Sequence, residues 1–160
     1  MNNHSITLRQ AEPSDERLLY RWVNDEAVRS NSFTVKKINK KGHHEWFKNK
    51  LKNPCITKIY IILNTNAAAV GQVRFDLVNT SWEIDFSIDI AFRGQGLATN
   101  ALRLGIEEMC ISAHAVSFVG RVKKDNYHSQ TVFQKLGFDL EVLDNCYLYS
   151  LEISSGWNVV

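Results

Sequence analysis

The sequence predicts a single α+β domain in which one seven-stranded sheet carries flanking helices. Seven short apolar segments have the composition of strands, and segments with helical apolar spacing separate several of them. No repeat, linker or low-complexity stretch divides the chain. A length of 160 residues suits one domain with a substantial core, and a hydrophobic content of 44% is ordinary for a globular protein. We therefore expect residues 1–160 to form one domain.

The first half of the chain mixes helices and strands. Ser14 is a candidate N-cap for a helix whose apolar positions include Leu18 and Trp22. Asn53-Pro54 marks the end of a later helix, because the residue before a proline avoids the helical conformation. In chain order we predict a strand at 5–10, the Leu18 helix, a short helix and loop within 24–42, a helix at 43–51, and strands at 56–63 and 69–77.

The central run changes its apolar period at Leu97. Apolar residues occupy positions 84, 86, 88 and 90, with polar residues between them, which predicts a strand at 82–90 with one buried face. From Leu97 onward the apolar residues recur at three and four spacing, which predicts a long amphipathic helix. Three further strands, at 115–122, 138–143 and 147–153, and a helix from Asn126 complete the predicted domain.

The turn between that strand and that helix contains Gly94 and Gly96. A strand-to-helix turn leaves backbone N–H groups unpaired at the positive end of the helix dipole, and glycines let a ligand approach them closely. Arg93 adds a positive charge. The turn suits a phosphate or pyrophosphate. It is not a Walker loop, and Thr99 stands where the third glycine of GxGxxG would be.

Two motifs resemble those of the GCN5-related N-acetyltransferase (GNAT) superfamily. Arg93-x-x-Gly96-x-Ala98 is similar to the family's acyl-CoA signature Q/R-x-x-G-x-G/A, and residues 126–138 are similar to its N-x-x-A/S-x-x-x-Y/F-x-x-x-G-F. Taken singly, each also fits an ordinary loop or amphipathic helix. The resemblance covers nearly the whole chain. It implies the acyl-CoA N-acyltransferase fold, a mixed, mostly antiparallel sheet whose fourth and fifth strands splay apart to admit the pantetheine arm.

The resemblance also implies acetyl-CoA as co-substrate and direct acetyl transfer to an amine without an acyl-enzyme. A backbone N–H near Ser87 or Ile88 is then expected to polarise the thioester oxygen. Asn126 lies beside the coenzyme in this pattern, and a helix N-cap is its alternative role. The implied coenzyme-binding residues are Ser87, Ile88 and Ile90 of the strand, Arg93, Gly94, Gln95, Gly96, Leu97 and Ala98 of the turn, and Asn126, Ser129 and Phe133 of the second motif.

Two carboxylates are the candidates for catalysis. Glu83 aligns with a glutamate that deprotonates the amine in some relatives, and Asp85 follows on the same strand face. Both also fit polar residues on an exposed sheet face. Phe133 replaces the usual tyrosine, so it has no proton for the departing thiolate. The remaining sources are Tyr127, His128, Tyr60 or a water, or no dedicated acid at all.

The acceptor side is expected to come from the N-terminal third of the chain. Residues 22–29, 43–47 and 71–76 resemble the branch that contains bacterial nucleotide-sugar N-acetyltransferases, with Val23 in place of the usual arginine. That branch acetylates the 4-amino group of a UDP-linked amino sugar in the pseudaminic acid pathway. The candidate substrate-binding residues are Trp22 and Trp46 for stacking, Arg29 and Arg74 with the lysines at 36, 37, 40 and 41 for a diphosphate, and Asn24 and His43 for orientation. Solvated lysines, core aromatic residues and a surface histidine are the alternatives.

Composition narrows the remaining classes. A formal net charge of +2 does not favour nucleic acid, and no segment has the apolar length of a membrane span. Three scattered cysteines without metal-like spacing indicate a reduced cytoplasmic protein without bound metal. The apolar strands near the C-terminus could pair between subunits, so we expect a monomer or a homodimer. The alternatives for function are acetylation of protein N-termini, as in ribosomal-type enzymes, acetylation of a polyamine or drug amine, and a non-catalytic module that binds acetyl-CoA.

Overall fold

The computed structural model describes residues 5–154. One seven-stranded sheet with five α-helices confirms the predicted α+β class. The strands are β1 (Ile6–Gln10), β2 (Thr57–Asn64), β3 (Ala69–Val78), β4 (Ser81–Ile88), β5 (Ser117–Val122), β6 (Asp139–Val142) and β7 (Tyr147–Glu152). The helices are α1 (Glu16–Val23), α2 (Glu26–Asn31), α3 (Lys40–Lys52), α4 (Leu97–Ser112) and α5 (Tyr127–Lys135).

The strand order is β1-β2-β3-β4-β5-β7-β6, and every neighbouring pair except one is antiparallel. The exception is the parallel pair β4–β5, which is joined only at Trp82 opposite Phe118 and Glu83 opposite Val119. Since β4 continues to Ile88 and β5 to Val122, the two strands separate after this short contact. The sheet therefore has an internal gap between β4 and β5.

Each face of the sheet carries its own core. On one face α4 and α5 pack on the buried side chains Phe75, Ile84, Phe118 and Tyr149, as the strand alternation and the helical spacing predict. On the other face α1 and α3 cover β2 through a smaller apolar cluster of Leu19, Trp22, Phe47, Ile59 and Ile61. The rest of that second face, around β4 and β5, carries polar side chains.

Two local predictions are wrong. Ser14 does not cap α1, because Pro13–Asp15 forms a 3-10 turn in which the Asp15 carboxylate accepts from the backbone N–H of Glu12 at 2.8 Å, and α1 begins at Glu16. The fourth strand ends at Ile88 rather than at residue 90. Asp89 there turns the chain by accepting from the N–H of Ala91 at 3.0 Å, and residues 90–92 form a second 3-10 turn. None of the helices within 5–154 is long and apolar enough to cross a membrane.

Candidate active site

The free edge of β4 exposes main-chain groups to the gap. The N–H of Asp89 donates to Val70 of β3 at 2.8 Å, and the β3–β4 register runs without a shift through Gln72 opposite Ser87. Hydrogen-bonding direction alternates along a strand, so Ser87 also points its N–H toward β3. Ile88 and Phe86 point theirs the other way, toward β5. Of the two backbone N–H groups predicted to polarise the thioester, that of Ile88 therefore faces the gap, and that of Ser87 does not.

Ile90 cannot extend this edge. It lies in the 3-10 turn after Asp89, with its side chain 70% exposed, so it does not continue the ladder as the sequence predicted. The edge available to a pantetheine arm consists of the main-chain groups of Phe86 and the N–H of Ile88, since the backbone oxygen of Ile88 accepts from Arg93.

The glycine turn is open and preformed. Gly94 and Gly96 have φ of 77° and 73°, the left-handed region that glycine adopts without strain, and a Cβ at either position would meet no atom within 4 Å. Gly96 is the N-cap of α4 and provides no side-chain partner, so the first N–H groups of α4 remain available to an anion. Leu97 is buried and anchors the turn, Ala98 packs against the same core, and Gln95 is exposed.

Arg93 does not offer the free charge that the sequence predicted. Its Nε donates to the backbone oxygen of Ile88 at 2.9 Å, and its NH2 pairs with Asp25 at 2.6 Å. Asp25 also caps α2 by accepting from the N–H of Val28 at 3.1 Å. Burial alone would raise the pKa of Asp25, but Arg93 and these backbone donors hold it below its usual range. Arg93 is therefore bonded within the protein.

The predicted stacking residue Trp22 has a structural position. It is 4% exposed, and its indole N–H donates to Asp89 at 2.7 Å, beside an ion pair from Arg21 to the same carboxylate at 2.7 Å. Asn24 is likewise engaged, because its side chain donates to the backbone oxygen of Ile38 at 3.0 Å and accepts from its N–H at 2.8 Å. The polar atoms of both side chains are taken up by the fold, so the geometry does not favour the predicted substrate contacts.

Helix α2 spans the gap between β4 and β5. Its N-cap Asp25 binds Arg93 in the segment after β4, and the backbone oxygen of Ser30 near its other end accepts from Lys123, just after β5, at 2.8 Å. Arg29, predicted to bind a diphosphate, instead donates to Ser32 at 2.9 Å and to the backbone oxygen of Thr34 at 3.0 Å, so it fixes the segment that follows α2.

The two candidate catalytic carboxylates lie on the polar face of β4. Glu83 is half-buried and has Arg121 of β5 at 3.7 Å, beside the last β4–β5 pairing. Asp85, one pleat nearer the open gap, is exposed and accepts from Gln72 at 2.8 Å. Glu83 thus has one cationic neighbour, and Asp85 has Gln72 and, at 3.5 Å, Arg74, while both carboxylates remain partly exposed to solvent.

Arg74 is part of a satisfied ionic cluster on β3. Its guanidinium binds Asp76 at 2.8 Å, approaches Asp85 at 3.5 Å and lies 5.2 Å from the ring centre of Trp46. Lys50 binds the other oxygen of Asp76 at 2.6 Å. Burial alone would raise the pKa of Asp76, but Arg74 and Lys50 hold it below its usual value. The predicted roles of Arg74 and Trp46 in substrate binding are therefore not favoured by the geometry, since the cation and the ring face are already paired.

His43 is buried, not on the surface and not beside the gap. It is 2% exposed among the rings of Tyr20, Trp46 and Phe47, and neither ring nitrogen has a hydrogen-bond partner within the described residues. Burial lowers the pKa of His43. This position between α1 and α3 does not favour the predicted role of His43 in orienting an acceptor.

The second motif has one core residue and one cap. Phe133 is 2% exposed, stacked on Tyr149 at 5.1 Å and packed across Gly120 of β5, so it fills the sheet beneath the gap and has no free edge for a ligand. Asn126 caps α5, accepting from the N–H of Ser129 at 3.2 Å and donating to its hydroxyl at 3.0 Å. The alternative role of Asn126 as an N-cap is thus realised, and Phe133 is a packing residue.

Comparison with known proteins agrees with this geometry. The acetyltransferase (GNAT) domain family matches residues 5–139. Among the solved structures that share the fold is a RimL ribosomal L7/L12 alpha-N-protein acetyltransferase with coenzyme A, at 20% identity over 93% of this chain and 94% of that one, with a TM-score of 0.79. Spermidine N-acetyltransferase from Vibrio cholerae with CoA and spermine matches at 16% identity over 95% of this chain and 96% of that one, with a TM-score of 0.80. Aminoglycoside acetyltransferase AAC(6')-Ib with coenzyme A matches at 16% identity over 92% of this chain and 95% of that one, with a TM-score of 0.76. Comparison with curated proteins gave no match.

The chain therefore belongs to the GNAT family and is an acetyl-CoA-dependent N-acetyltransferase. Within residues 5–154, no group of three His, Cys, Asp or Glu side chains is placed to hold a metal ion.

Sequence reasoning did not identify three groups at this site. Phe86 presents an N–H to the gap, Asp25 holds Arg93, and Arg121 lies beside Glu83. The alternation of the strand contained the signal for Phe86, since it shares its direction with Ile88. No sequence signal marked the other two, because their partners are distant in the chain.

Proposed function

We propose that the protein transfers the acetyl group of acetyl-CoA directly to a primary amine within the gap between β4 and β5. The observation that carries this proposal is the early separation of the two strands next to the open glycine turn. The pyrophosphate lies at Gly94 and Gly96, against the first N–H groups of α4. The pantetheine arm runs along the free edge of β4 toward the point of strand separation.

The residues of β4 supply the chemistry. The N–H of Ile88 or Phe86 donates to the thioester oxygen and stabilises the negative charge that grows there. Glu83 accepts the proton of the acceptor ammonium, directly or through a water, and frees the nitrogen lone pair. That lone pair forms the C–N bond, the C–S bond breaks, and its electron pair leaves on sulfur as the CoA thiolate.

Among the described residues, none of the predicted substitutes for the missing tyrosine is a buried side chain at the gap. Tyr60 is 2% exposed in the core on the α4 side of the sheet, with its hydroxyl 3.9 Å from the sulfur of Met109, so it is remote from the gap. Tyr127 and His128 are exposed at the start of α5. The thiolate is a tolerable leaving group near neutral pH, so we propose that it leaves unprotonated or takes its proton from water.

The charges around the gap favour an acceptor with opposite charges at its two ends. Glu83 and Asp85 favour the ammonium. Arg29 donates to the backbone oxygens of Thr34 at 3.0 Å and Lys36 at 3.4 Å, so the segment that contains Lys36 and Lys37 is held close to α2. Together with Lys40 and Lys41 they are exposed and make no salt bridge to a described residue. A UDP-linked 4-amino sugar has this charge arrangement, and we propose it as the first acceptor to test.

A protein N-terminus is the second candidate. One observation favours it: Arg29 and Arg74, the cations predicted for a diphosphate, are engaged within the protein, and the polar face of β4 presents two carboxylates. A peptide amine needs a carboxylate near the nitrogen and no diphosphate site.

The test is CoA-thiol release from acetyl-CoA with three acceptors in parallel, namely a UDP-4-amino sugar, N-terminal peptides and spermidine. We expect turnover with the amino-sugar nucleotide. In a Lys36→Gln/Lys37→Gln variant, we expect this turnover to fall because the KM for the acceptor rises. Turnover with peptides alone would contradict the sugar assignment. Binding of acetyl-CoA, seen as a thermal shift, without thiol release for any amine would identify a non-catalytic module instead.

A further inference from the structure

We propose that Asp25 is a positioning residue for the coenzyme: it holds Arg93 so that the glycine turn keeps its open shape and α2 stays closed over the gap. This inference rests on the proposed placement of the pyrophosphate at Gly94 and Gly96. It assigns to the acidic side chain on the acceptor side a role in binding the coenzyme.

The first argument is the bonding of Arg93. This residue immediately precedes the glycine turn, and it donates both to the strand edge at Ile88, at 2.9 Å, and to Asp25, at 2.6 Å. The Asp25 side chain is 19% exposed and that of Arg93 is 33% exposed, so the pair is partly shielded from water. A shielded, charge-assisted contact of this length fixes the direction in which the chain leaves β4.

The second argument is a parallel contact one turn away. Asp89, at the end of β4, accepts from Trp22 at 2.7 Å and from Arg21 at 2.7 Å. The two carboxylates thus join α1 and α2 to both ends of the segment 89–93. A cavity of about 560 Å³ lies between these contacts, lined by Trp22, Asp25, Val28, Ile88, Asp89 and Arg93 among others. The segment before the glycine turn is held by α1 and α2 on one side and is open on the other.

The third argument is the far end of α2. Lys123 donates to the backbone oxygen of Ser30 at 2.8 Å, so α2 is tied to the segments after β4 and β5 at once. Loss of the Asp25 contact would free one end of α2 and the start of the glycine turn together.

The test is a double-mutant cycle of Asp25→Asn, Arg93→Gln and the two combined, with CoA affinity measured by calorimetry. Asparagine is as good an N-cap as aspartate, so Asp25→Asn removes the ion pair while α2 keeps its cap. We expect Asp25→Asn to weaken CoA binding about tenfold and Arg93→Gln, which also removes the contact with Ile88, to weaken it at least as much. The double variant should bind CoA no more weakly than Arg93→Gln alone, since the ion pair is already absent there. Glu107→Gln, which breaks an ion pair within α4, is the control and leaves CoA affinity unchanged.

Two readouts separate positioning from a general loss of stability. A purely structural role would lower the Tm of the free protein without changing the rise in Tm that CoA produces, and we expect that rise to shrink in Asp25→Asn. Unchanged CoA affinity in Asp25→Asn, or additive losses in the double variant, would overturn the inference. Gly96→Ala tests the underlying site: if it leaves CoA affinity intact, the proposed coenzyme turn itself is wrong.

Discussion

The cluster around Arg74 and the glycine turn beside Arg93 differ in which groups remain free to bind an anion. Around Arg74 the cation, two carboxylates and a lysine satisfy one another within the β3–β4 face and leave little for a ligand. At the glycine turn, the nearest cation is also paired, but the main-chain N–H groups of residues after Gly96 are free. The comparison teaches that the anion site here is made by backbone, while most arginine side chains near it support the fold.

Glu83→Gln is the change with the largest expected effect, and it tests whether Glu83, on the polar face of β4, acts as the catalytic base. The amide cannot accept the ammonium proton, so we expect kcat to fall by about 10² to 10⁴-fold with little change in CoA affinity. Steady-state kinetics with the active acceptor measure it. Asp85→Asn is the matched comparison, and a larger loss there would transfer the role of the base to Asp85.

Arg74→Met tests the satisfied cluster. Removing the cation takes from Asp76 one of its two cationic partners, while Lys50 and Thr57 remain bound to it. Asp85 keeps Gln72. We expect a loss of about 2 kcal/mol in the free energy of unfolding at pH 7. The folded pKa of Asp76 is depressed, so this stabilisation exists above the unfolded value of about 3.9 and is lost as the pH falls through the folded pKa.

Urea titrations at pH 7 and pH 3 check this prediction. The gap in stability between Arg74→Met and wild type should narrow at the lower pH. A variant as stable as wild type but with a higher KM for the acceptor would instead show that Arg74 belongs to substrate binding.

Gly120→Ala tests the packing beneath the gap. A methyl group at this position would overlap the ring of Phe133, which is held by Phe138 and Tyr149 and has little room to move. We expect a loss of about 1–3 kcal/mol. Gly42→Ala in α3, where the nearest atom would be 3.3 Å away, is the control and should be neutral or slightly stabilising. Equal effects of the two changes would contradict this account.

His43→Phe has the smallest expected effect and the opposite sign. Both ring nitrogens are buried without partners in the described residues, so an apolar ring should stabilise the protein by about 1 kcal/mol at pH 7. Burial lowers the pKa of His43 in folded wild-type protein. Above the unfolded pKa of about 6.5 the ring is neutral in both states. As the pH falls from there through the folded pKa, the wild-type protein loses stability because the unfolded state binds the proton more readily. Thermal unfolding between pH 7.5 and pH 5.5 should show a smaller decline in Tm for the variant than for wild type. An equal decline would contradict this contribution of His43.

Much of the fold was accessible from the sequence because it depends on local periodicity. The alternation in 82–90 and the spacing after Leu97 predicted the start of the central strand within one residue and the start of the helix at the observed residue. The end of β4 was predicted two residues too late, because Ile90 continues the apolar alternation of the strand. The strand ends earlier because the Asp89 side chain accepts from the N–H of Ala91, a contact that the alternation does not indicate.

The site was less accessible, because its side chains have partners far away in the chain. Arg93 and Asp25 are separated by 68 positions, and nothing in the sequence pairs them. The burial of His43 had the same cause: the aromatic residues around it come from two helices that meet only in the folded protein. Glycine turns and strand direction, which act through backbone, were predicted better than the contacts of long polar side chains.

Amide hydrogen exchange with and without CoA tests the central claim most directly, that the backbone of β4 and the glycine turn hold the coenzyme. We predict that the amides of Phe86 and Ile88 and those at the start of α4 gain protection when CoA binds, while that of Ser87, already bonded to β3, does not change. Protection confined to the surroundings of Arg74, with Phe86 and Ile88 unaffected, would contradict the account.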